Sequence, residues 1–127
     1  MTAKRILVVD DEDDIREVAK VSLEMVRGLE VVTACSGSEA IEKARTEQPD
    51  AILLDVMMPD MDGPTTFKKI QADAAIQHIP VILLTAKVQA DDHRKFAELG
   101  VSGVIAKPFD PLGLSAQVAK VLGWESS

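Results

Sequence analysis

Five short apolar runs alternate along this chain of 127 residues with segments of helical periodicity. An apolar run of roughly four to eight residues suits a strand that is buried on both faces of a sheet. Alternation of such strands with helices is typical of βαβ units, in which helices cover both faces of a parallel sheet. The chain therefore predicts an α/β fold with a five-stranded parallel sheet. The predicted strands span residues 6–9, 30–34, 52–55, 80–86 and 103–106.

Helix start signals stand after several of these runs. Ser36 followed by Glu39 forms a capping box, and Pro64 suits the first turn of the helix after the third strand. Asp110 followed by Pro111 predicts that the last helix begins there, with the aspartate as its N-cap. Together with the periodic segments, these signals indicate five helices, one after each strand.

The length of the chain is that of one domain of ordinary size, with enough residues for one substantial core. No linker, internal repeat or low-complexity stretch interrupts the alternation of strands and helices. We therefore predict a single domain over residues 1–127, with its core at about residues 4–123.

Composition argues against several classes of function. The net charge is −7 and aromatic residues make up 3% of the chain. Direct binding of nucleic acid is not expected, because it needs clustered Lys and Arg, and single strands also need aromatic stacking platforms. No glycine-rich phosphate-binding fingerprint follows the first strand, which argues against a nucleotide-binding protein.

The cysteine content and the N-terminal region bear on location. The single cysteine, Cys35, cannot form an internal disulfide, and we expect a buried, unreactive thiol compatible with a reducing compartment. The apolar run before Asp10 has only four residues, too few for a signal-peptide core or a membrane span. The sequence predicts a cytoplasmic protein that does not insert into membranes.

Polar side chains of complementary chemistry follow four of the five strands. The first strand ends on Asp10 and Asp11, the third on Asp55, the fourth on Thr85 and the fifth on Lys107. Because open α/β sheets bind ligands beyond the carboxyl ends of their strands, we expect these side chains to meet at one edge. The turn signals after the third strand further predict that the Asp55 side chain is accessible rather than part of the core.

Such a set of side chains suits metal-assisted phosphoryl chemistry. Three neighbouring carboxylates repel one another, and a divalent cation relieves that repulsion. Oxygen ligands without His or Cys favour Mg²⁺, with Mn²⁺ as the alternative, over zinc. An aspartate flanked by a metal ion and a lysine can attack phosphorus, because both cations neutralise the oxygens that gain charge during transfer.

With these features the chain resembles the response-regulator receiver domain, and it is similar to the single-domain chemotaxis type. The resemblance covers nearly the whole chain and implies a doubly wound, flavodoxin-like sheet in the strand order 2-1-3-4-5, with helices on both faces. It rests on four motifs, namely Val8-Val9-Asp10-Asp11, Leu53-Leu54-Asp55-Val56-Met57-Met58-Pro59-Asp60-Met61-Asp62-Gly63, Leu84-Thr85-Ala86 and Lys107-Pro108-Phe109.

The resemblance implies a phosphorylation-activated switch of a two-component phosphorelay rather than an enzyme. Asp55 would accept a phosphoryl group from the phosphohistidine of a sensor histidine kinase or phosphotransfer protein, in a reaction that requires Mg²⁺. Asp11 would be the principal side-chain ligand of Mg²⁺, and Asp10 would assist mainly through water. Asp55 and the backbone carbonyl of Met57 would complete the ligands that the protein provides.

The resemblance also implies how the phosphorylated state is read. Thr85 and Lys107 would bind the phosphoryl group, and the bond from Lys107 to Pro108 would be cis. Phosphorylation would change the face formed by the fourth helix, the last strand and the last helix, which would bind a downstream effector or output domain. A monomer is expected, with a phosphorylation-dependent dimer as the alternative.

Two features depart from the family pattern. Val104 occupies the switch position, where receiver domains often carry an aromatic residue. Met57 and Lys87 lie two residues beyond Asp55 and Thr85, at positions that tune the lifetime of the phosphoryl group in the family. Neither side chain is a carboxylate or amide that could position the attacking water, so we predict slow self-dephosphorylation.

Two alternative functions fit parts of the pattern. A phosphatase of the haloacid-dehalogenase type also uses a strand-end aspartate and magnesium, but it normally carries a second aspartate where this chain has Met57. A receiver-like scaffold that binds its partner without phosphorylation would not need the complete set of Asp11, Asp55, Thr85 and Lys107. The sequence therefore favours the phosphorylated switch.

Overall fold

A computed structural model describes residues 4–25, 29–86 and 90–124. The described residues form one five-stranded parallel sheet in the order β2-β1-β3-β4-β5. This confirms the predicted α/β class and the strand order implied by the resemblance. The elements in chain order are β1 (Lys4–Val9), α1 (Asp13–Glu24), β2 (Leu29–Ala34), α2 (Gly37–Glu47), β3 (Ala51–Asp55), α3 (Gly63–Gln71), β4 (Val81–Thr85), α4 (Ala90–Leu99), β5 (Gly103–Ala106) and α5 (Leu114–Leu122).

Helices bury both faces of the sheet. Every residue of β3 and of β4 is buried, as expected for the central strands of a doubly wound sheet. Successive residues of a strand point to opposite faces, so each central strand contributes to two cores. One core packs the sheet against α2, α3 and α4, through Ala40, Ala44, Phe67, Ile70 and Phe96. The other packs it against α1 and α5, through Ala19, Leu23, Leu114 and Val118.

The predicted helix starts are confirmed at two helices, and the predicted start of a third helix is wrong. The amide of Glu39 donates to the Ser36 side chain at the start of α2, and Pro64 lies in the first turn of α3, as predicted. The last helix begins at Leu114 rather than at the predicted proline, with no side-chain cap. The Asp110 carboxylate instead accepts a hydrogen bond from the amide of Leu112, which closes a turn that delays the helix.

Two further findings concern the surface. The Cys35 thiol is exposed beyond the end of β2, so the prediction of a buried thiol is wrong. Cys35 follows the last residue of the edge strand β2 and so lies outside the sheet. Within the described ranges, no helix is both long enough and apolar enough to cross a membrane.

Candidate functional site

The structure brings three carboxylates and one ammonium group together at the carboxyl edge of the sheet. Lys107 Nζ lies 2.9 Å from Asp10 Oδ2 and 3.0 Å from Asp55 Oδ1. Asp11 adds a third carboxylate, and one oxygen from each of the three aspartates lies within 4.8 Å of the others. Asp10 and Asp11 follow β1, which pairs with β3, the strand that ends on Asp55. The predicted convergence of these side chains is therefore present in the fold.

Asp55 is more deeply buried than the sequence predicts. Its residue is 3% exposed, so the expectation of an accessible side chain is wrong. Lys107, the residue after β5, donates to the Asp55 carboxylate. The loop that follows Asp55 folds back over the strand end, where the amide of Gly63 donates to the carbonyl of Val56 at 2.8 Å. A Cβ atom on Gly63 would lie 2.6 Å from the carbonyl oxygen of Asp55, so this close approach requires glycine.

Asp10 is held by contacts on both sides of its carboxylate. Oδ2 accepts from Lys107, and Oδ1 accepts from the amide of Glu12 at 2.9 Å, in a turn that aspartate favours. Arg16 donates from Nη1 to the Asp10 carbonyl oxygen at 2.7 Å. The role of Arg16 in holding this strand end was not predicted. Its spacing from Asp10 gives no motif, and only the packing of α1 brings the guanidinium there.

Burial and charge act in opposite directions on the two partners of the Asp55–Lys107 pair. Burial raises the pKa of Asp55 above its ordinary value, with Asp10 adding to the rise and Lys107 opposing it. Burial alone would lower the pKa of Lys107, but its hydrogen bonds to Asp10 and Asp55 outweigh that effect and raise it. The lysine therefore stays charged at neutral pH, with two carboxylates as its partners.

The remaining predicted residues surround this cluster. Thr85 is buried at the end of β4, and its carbonyl accepts from the amide of Lys107 at 2.8 Å. Val104 pairs with Leu83 in the sheet register and packs against the core that faces α2, α3 and α4. Lys87 lies outside the described residues.

Met57, two residues beyond Asp55, lies at the surface of the protein. Its exposed fraction is 69%. It lines a cleft of about 420 Å³ with Met58, Pro59 and Asp62. The thioether side chain of Met57 is therefore in contact with solvent, close in sequence to Asp55. The peptide bond from Lys107 to Pro108 is cis.

The chemistry of the donor set fits a hard divalent cation. Three carboxylates face one lysine, so the cluster keeps an excess of negative charge after the lysine is counted. All the side-chain donors are oxygens, the ligands that Mg²⁺ and Mn²⁺ prefer. Asp11 is exposed, whereas Asp10 and Asp55 are buried, so a cation could reach the cluster from the solvent side of Asp11.

Comparisons with known proteins give one consistent result. A model of the response regulator receiver domain matches residues 6–119. The transcriptional regulatory protein PhoP for alkaline phosphatase synthesis, from Bacillus subtilis, is 41% identical over 94% of this chain and 48% of its own length. The response regulator PleD of Caulobacter vibrioides is 45% identical over 90% of this chain and 25% of its own length.

Solved structures give the same result. The chemotaxis response regulator CheY4 of Vibrio cholerae superimposes with a TM-score of 0.87 at 32% identity, over 94% of this chain and 99% of CheY4. The chain thus spans nearly the whole of CheY4 but about half the length of curated relatives such as PhoP.

Proposed function

This chain belongs to the response regulator receiver domain family of two-component signalling, and from that premise we propose that it is a switch activated by phosphorylation of Asp55. The observation that carries the proposal is the buried Asp55 carboxylate, 3.0 Å from Lys107 and beside two further carboxylates at the sheet edge. A purely structural strand end has no need of this concentration of charge.

Transfer of the phosphoryl group would form one bond and break another. A carboxylate oxygen of Asp55 attacks phosphorus, and the bond from phosphorus to the donor's histidine nitrogen breaks. The donor's imidazole, which carries a proton on its other ring nitrogen, takes the electron pair of that bond and leaves as the neutral ring, and Asp55 becomes an acyl phosphate. Lys107, held at hydrogen-bond distance from Asp55, would neutralise phosphoryl oxygens as their charge grows.

Asp10, Asp11, Asp55 and the backbone carbonyl of Met57 would hold Mg²⁺, with Mn²⁺ as a substitute. When bound, the ion supplies positive charge opposite Lys107 and so lowers the cost of bringing a phosphoryl group to a cluster of carboxylates. Asp10 is fixed by its bonds to Lys107 and to the amide of Glu12, and its position is therefore set before any ion arrives.

The response would begin at the ends of β4 and β5. Thr85 lies at the end of β4, beside the strand that carries Asp55, and would donate its hydroxyl hydrogen to the phosphoryl group. The half-buried Val104 has no ring that could rotate into space vacated by Thr85. We infer that the change reaches α4, β5 and α5 through backbone movement rather than through an aromatic rotamer.

The partners follow from the same reaction. The phosphoryl donor would be a sensor histidine kinase or a phosphotransfer protein in the cytoplasm. The phosphorylated state would be recognised by a separate effector protein or by an output domain, since the matched part of PhoP is about half of that protein. We propose that residues 1–127 form one receiver domain, monomeric until phosphorylation, with a phosphorylation-dependent dimer as the alternative.

Incubation with acetyl phosphate and Mg²⁺ tests the proposal on the isolated chain. Acetyl phosphate serves as donor because its bond from phosphorus to the acetyl oxygen breaks and acetate leaves. We expect intact mass spectrometry to show the addition of a single phosphoryl group, and no addition when a chelator is present. An unmodified protein, or equal modification in chelator, would contradict a metal-dependent switch.

Replacement of Met57 by asparagine is expected to shorten the lifetime of the phosphorylated form by about tenfold. The exposed side chain at this position would border the path of the attacking water to Asp55, and an amide can orient that water where a thioether cannot. The measurement is the decay of the phosphorylated mass after removal of acetyl phosphate. Met57→Leu, which is also apolar, should decay like the wild type. A Met57→Asn variant that decays no faster would refute the role of this position.

A further inference from the structure

The side chain of Asp60 hydrogen-bonds the loop that follows Asp55 to the first turn of α2. The carboxylate of Asp60 accepts hydrogen bonds from the amides of Gly37 and Ser38, each at 3.2 Å, and from the Ser38 hydroxyl at 3.2 Å. The amide of Glu39 donates to Ser36. The amides of the first helical turn, which have no partner within the helix, are therefore satisfied, two of them by this loop.

The Asp60 contact is that of an ionised group. Burial would raise the pKa of Asp60, but the amide hydrogen bonds from Gly37 and Ser38 lower it below its ordinary value. A carboxylate at a helix N-terminus is also favoured by the helix dipole. The contact is thus a charge-assisted one, stronger than a hydrogen bond between neutral groups.

The start of the loop is bonded to β4, and the end of the loop is bonded back to its start. The amide of Val56 donates to the carbonyl of Leu84 at 3.0 Å, and the amide of Gly63 donates to the carbonyl of Val56 at 2.8 Å. Met57 follows directly after Val56 and is exposed. Between these positions, the Asp60 side chain bonds the loop to the start of α2, and the Asp62 side chain accepts from the Thr65 amide at the start of α3.

The helix that accepts the Asp60 contact is packed into the core. Ala40 and Ala44 of α2 are fully buried, and Arg45 at its other end pairs with Asp73 at 2.5 Å. A Cβ atom on Gly37 would lie 2.4 Å from Thr66 Oγ1, so the start of α2 is packed directly against α3. The Asp60 contact therefore joins the loop to a helix that is packed into the core, and not to a second loop.

We propose that Asp60 is a positioning residue that holds the Met57 carbonyl in place for the divalent cation by anchoring the loop to the start of α2. The inference rests on the proposed metal site. The two effects are thermodynamically linked. If the contact between Asp60 and α2 raises cation affinity by some factor, the bound cation raises the equilibrium constant for forming that contact by the same factor. Cation binding and the start of α2 are then coupled in both directions.

A Mg²⁺ titration followed by amide chemical shifts tests the proposal. We expect Asp60→Ala to weaken Mg²⁺ binding by about tenfold, the lower range for loss of a residue that supports a metal ligand. Ser36→Ala is the matched control, because it removes a hydrogen bond from the same helix end but leaves the loop contact in place. It should bind Mg²⁺ within about twofold of the wild type, and Asp60→Asn, which keeps one acceptor oxygen, should lie between.

Hydrogen exchange supplies a second readout. In the wild type, saturating Mg²⁺ should slow exchange of the Gly37 and Ser38 amides by a factor close to the loss of affinity in Asp60→Ala. Equal Mg²⁺ affinity in Asp60→Ala and Ser36→Ala, or amide exchange unaffected by Mg²⁺, would overturn the inference. A wild type that does not bind Mg²⁺ would instead overturn the metal site itself, so the two failures are distinguishable.

Discussion

Asp55→Ala is expected to lose phosphoryl incorporation from acetyl phosphate completely, down to the background of a chelator-treated sample. The neighbouring carboxylates should not replace it. Asp10 is fully buried and bound through both oxygens, and Asp11 is exposed and not bonded to Lys107. The measurement is intact mass over time at saturating Mg²⁺. Asp14→Ala, which removes an exposed carboxylate on α1, should be modified at the wild-type rate.

The isosteric Asp55→Asn variant shows whether phosphoryl incorporation is lost without unfolding of the protein. Because burial raises the pKa of Asp55, ionisation of this carboxylate lowers the free energy of unfolding. This loss is absent below the ordinary pKa of aspartate, grows as pH rises toward the raised pKa of the folded state, and is constant above it. At neutral pH without metal, Asp55→Asn should therefore unfold at a temperature no lower than the wild type. Modification of either variant would show that another residue accepts the phosphoryl group.

Lys107→Met is expected to have the second large effect, on both stability and rate. The substitution leaves the Asp10 and Asp55 carboxylates, 0% and 3% exposed, without the ammonium that lies within 3.0 Å of both. Removal of one partner from such a buried ion pair costs about 3 kcal/mol of unfolding free energy. Loss of the charge beside the phosphoryl oxygens should slow incorporation by about a hundredfold.

Denaturant unfolding with and without Mg²⁺ measures the effect of Lys107→Met. The destabilisation should be largest near neutral pH and should shrink in acid, where protonation relieves the repulsion between the two carboxylates. Mg²⁺ should restore more stability to this variant than to the wild type, because the cation replaces the lost positive charge. Lys69→Met, at an exposed position on α3, is the control for the charge change. Equal stability of the two variants would contradict a structural role for the ion cluster.

The fold was predictable because its signals are local. Each of the buried strands is a short apolar run, and a run such as residues 52–54 is specified by its own composition. The gathering of Asp10, Asp55 and Lys107 at one edge followed from the parallel arrangement alone, since parallel strands share a carboxyl edge. Chemistry at that edge could be predicted without knowing any side-chain contact.

The sequence was less informative wherever a contact joins distant segments. Asp55 was expected to be accessible, yet it is buried and accepts a hydrogen bond from Lys107, 52 residues further along the chain. In the sequence, Asp60 indicates only a turn. Its hydrogen bonds to Gly37 and Ser38 depend on how α2 packs beside the loop. The start of α5 was misplaced because an aspartate followed by proline suits a turn as well as a helix start.

Borohydride reduction followed by peptide mass mapping shows directly which aspartate carries the phosphoryl group. Hydride reduces an acyl phosphate of aspartate to homoserine with release of phosphate, whereas an unmodified carboxylate is not reduced. Trypsin separates the candidates, because Asp10 and Asp11 lie in the peptide of residues 6–16 and Asp55 in that of residues 46–68. Homoserine at position 55 alone is the expected result. Homoserine in the peptide of residues 6–16, or at another aspartate of the peptide of residues 46–68, would contradict the assignment of Asp55 as the phosphoacceptor.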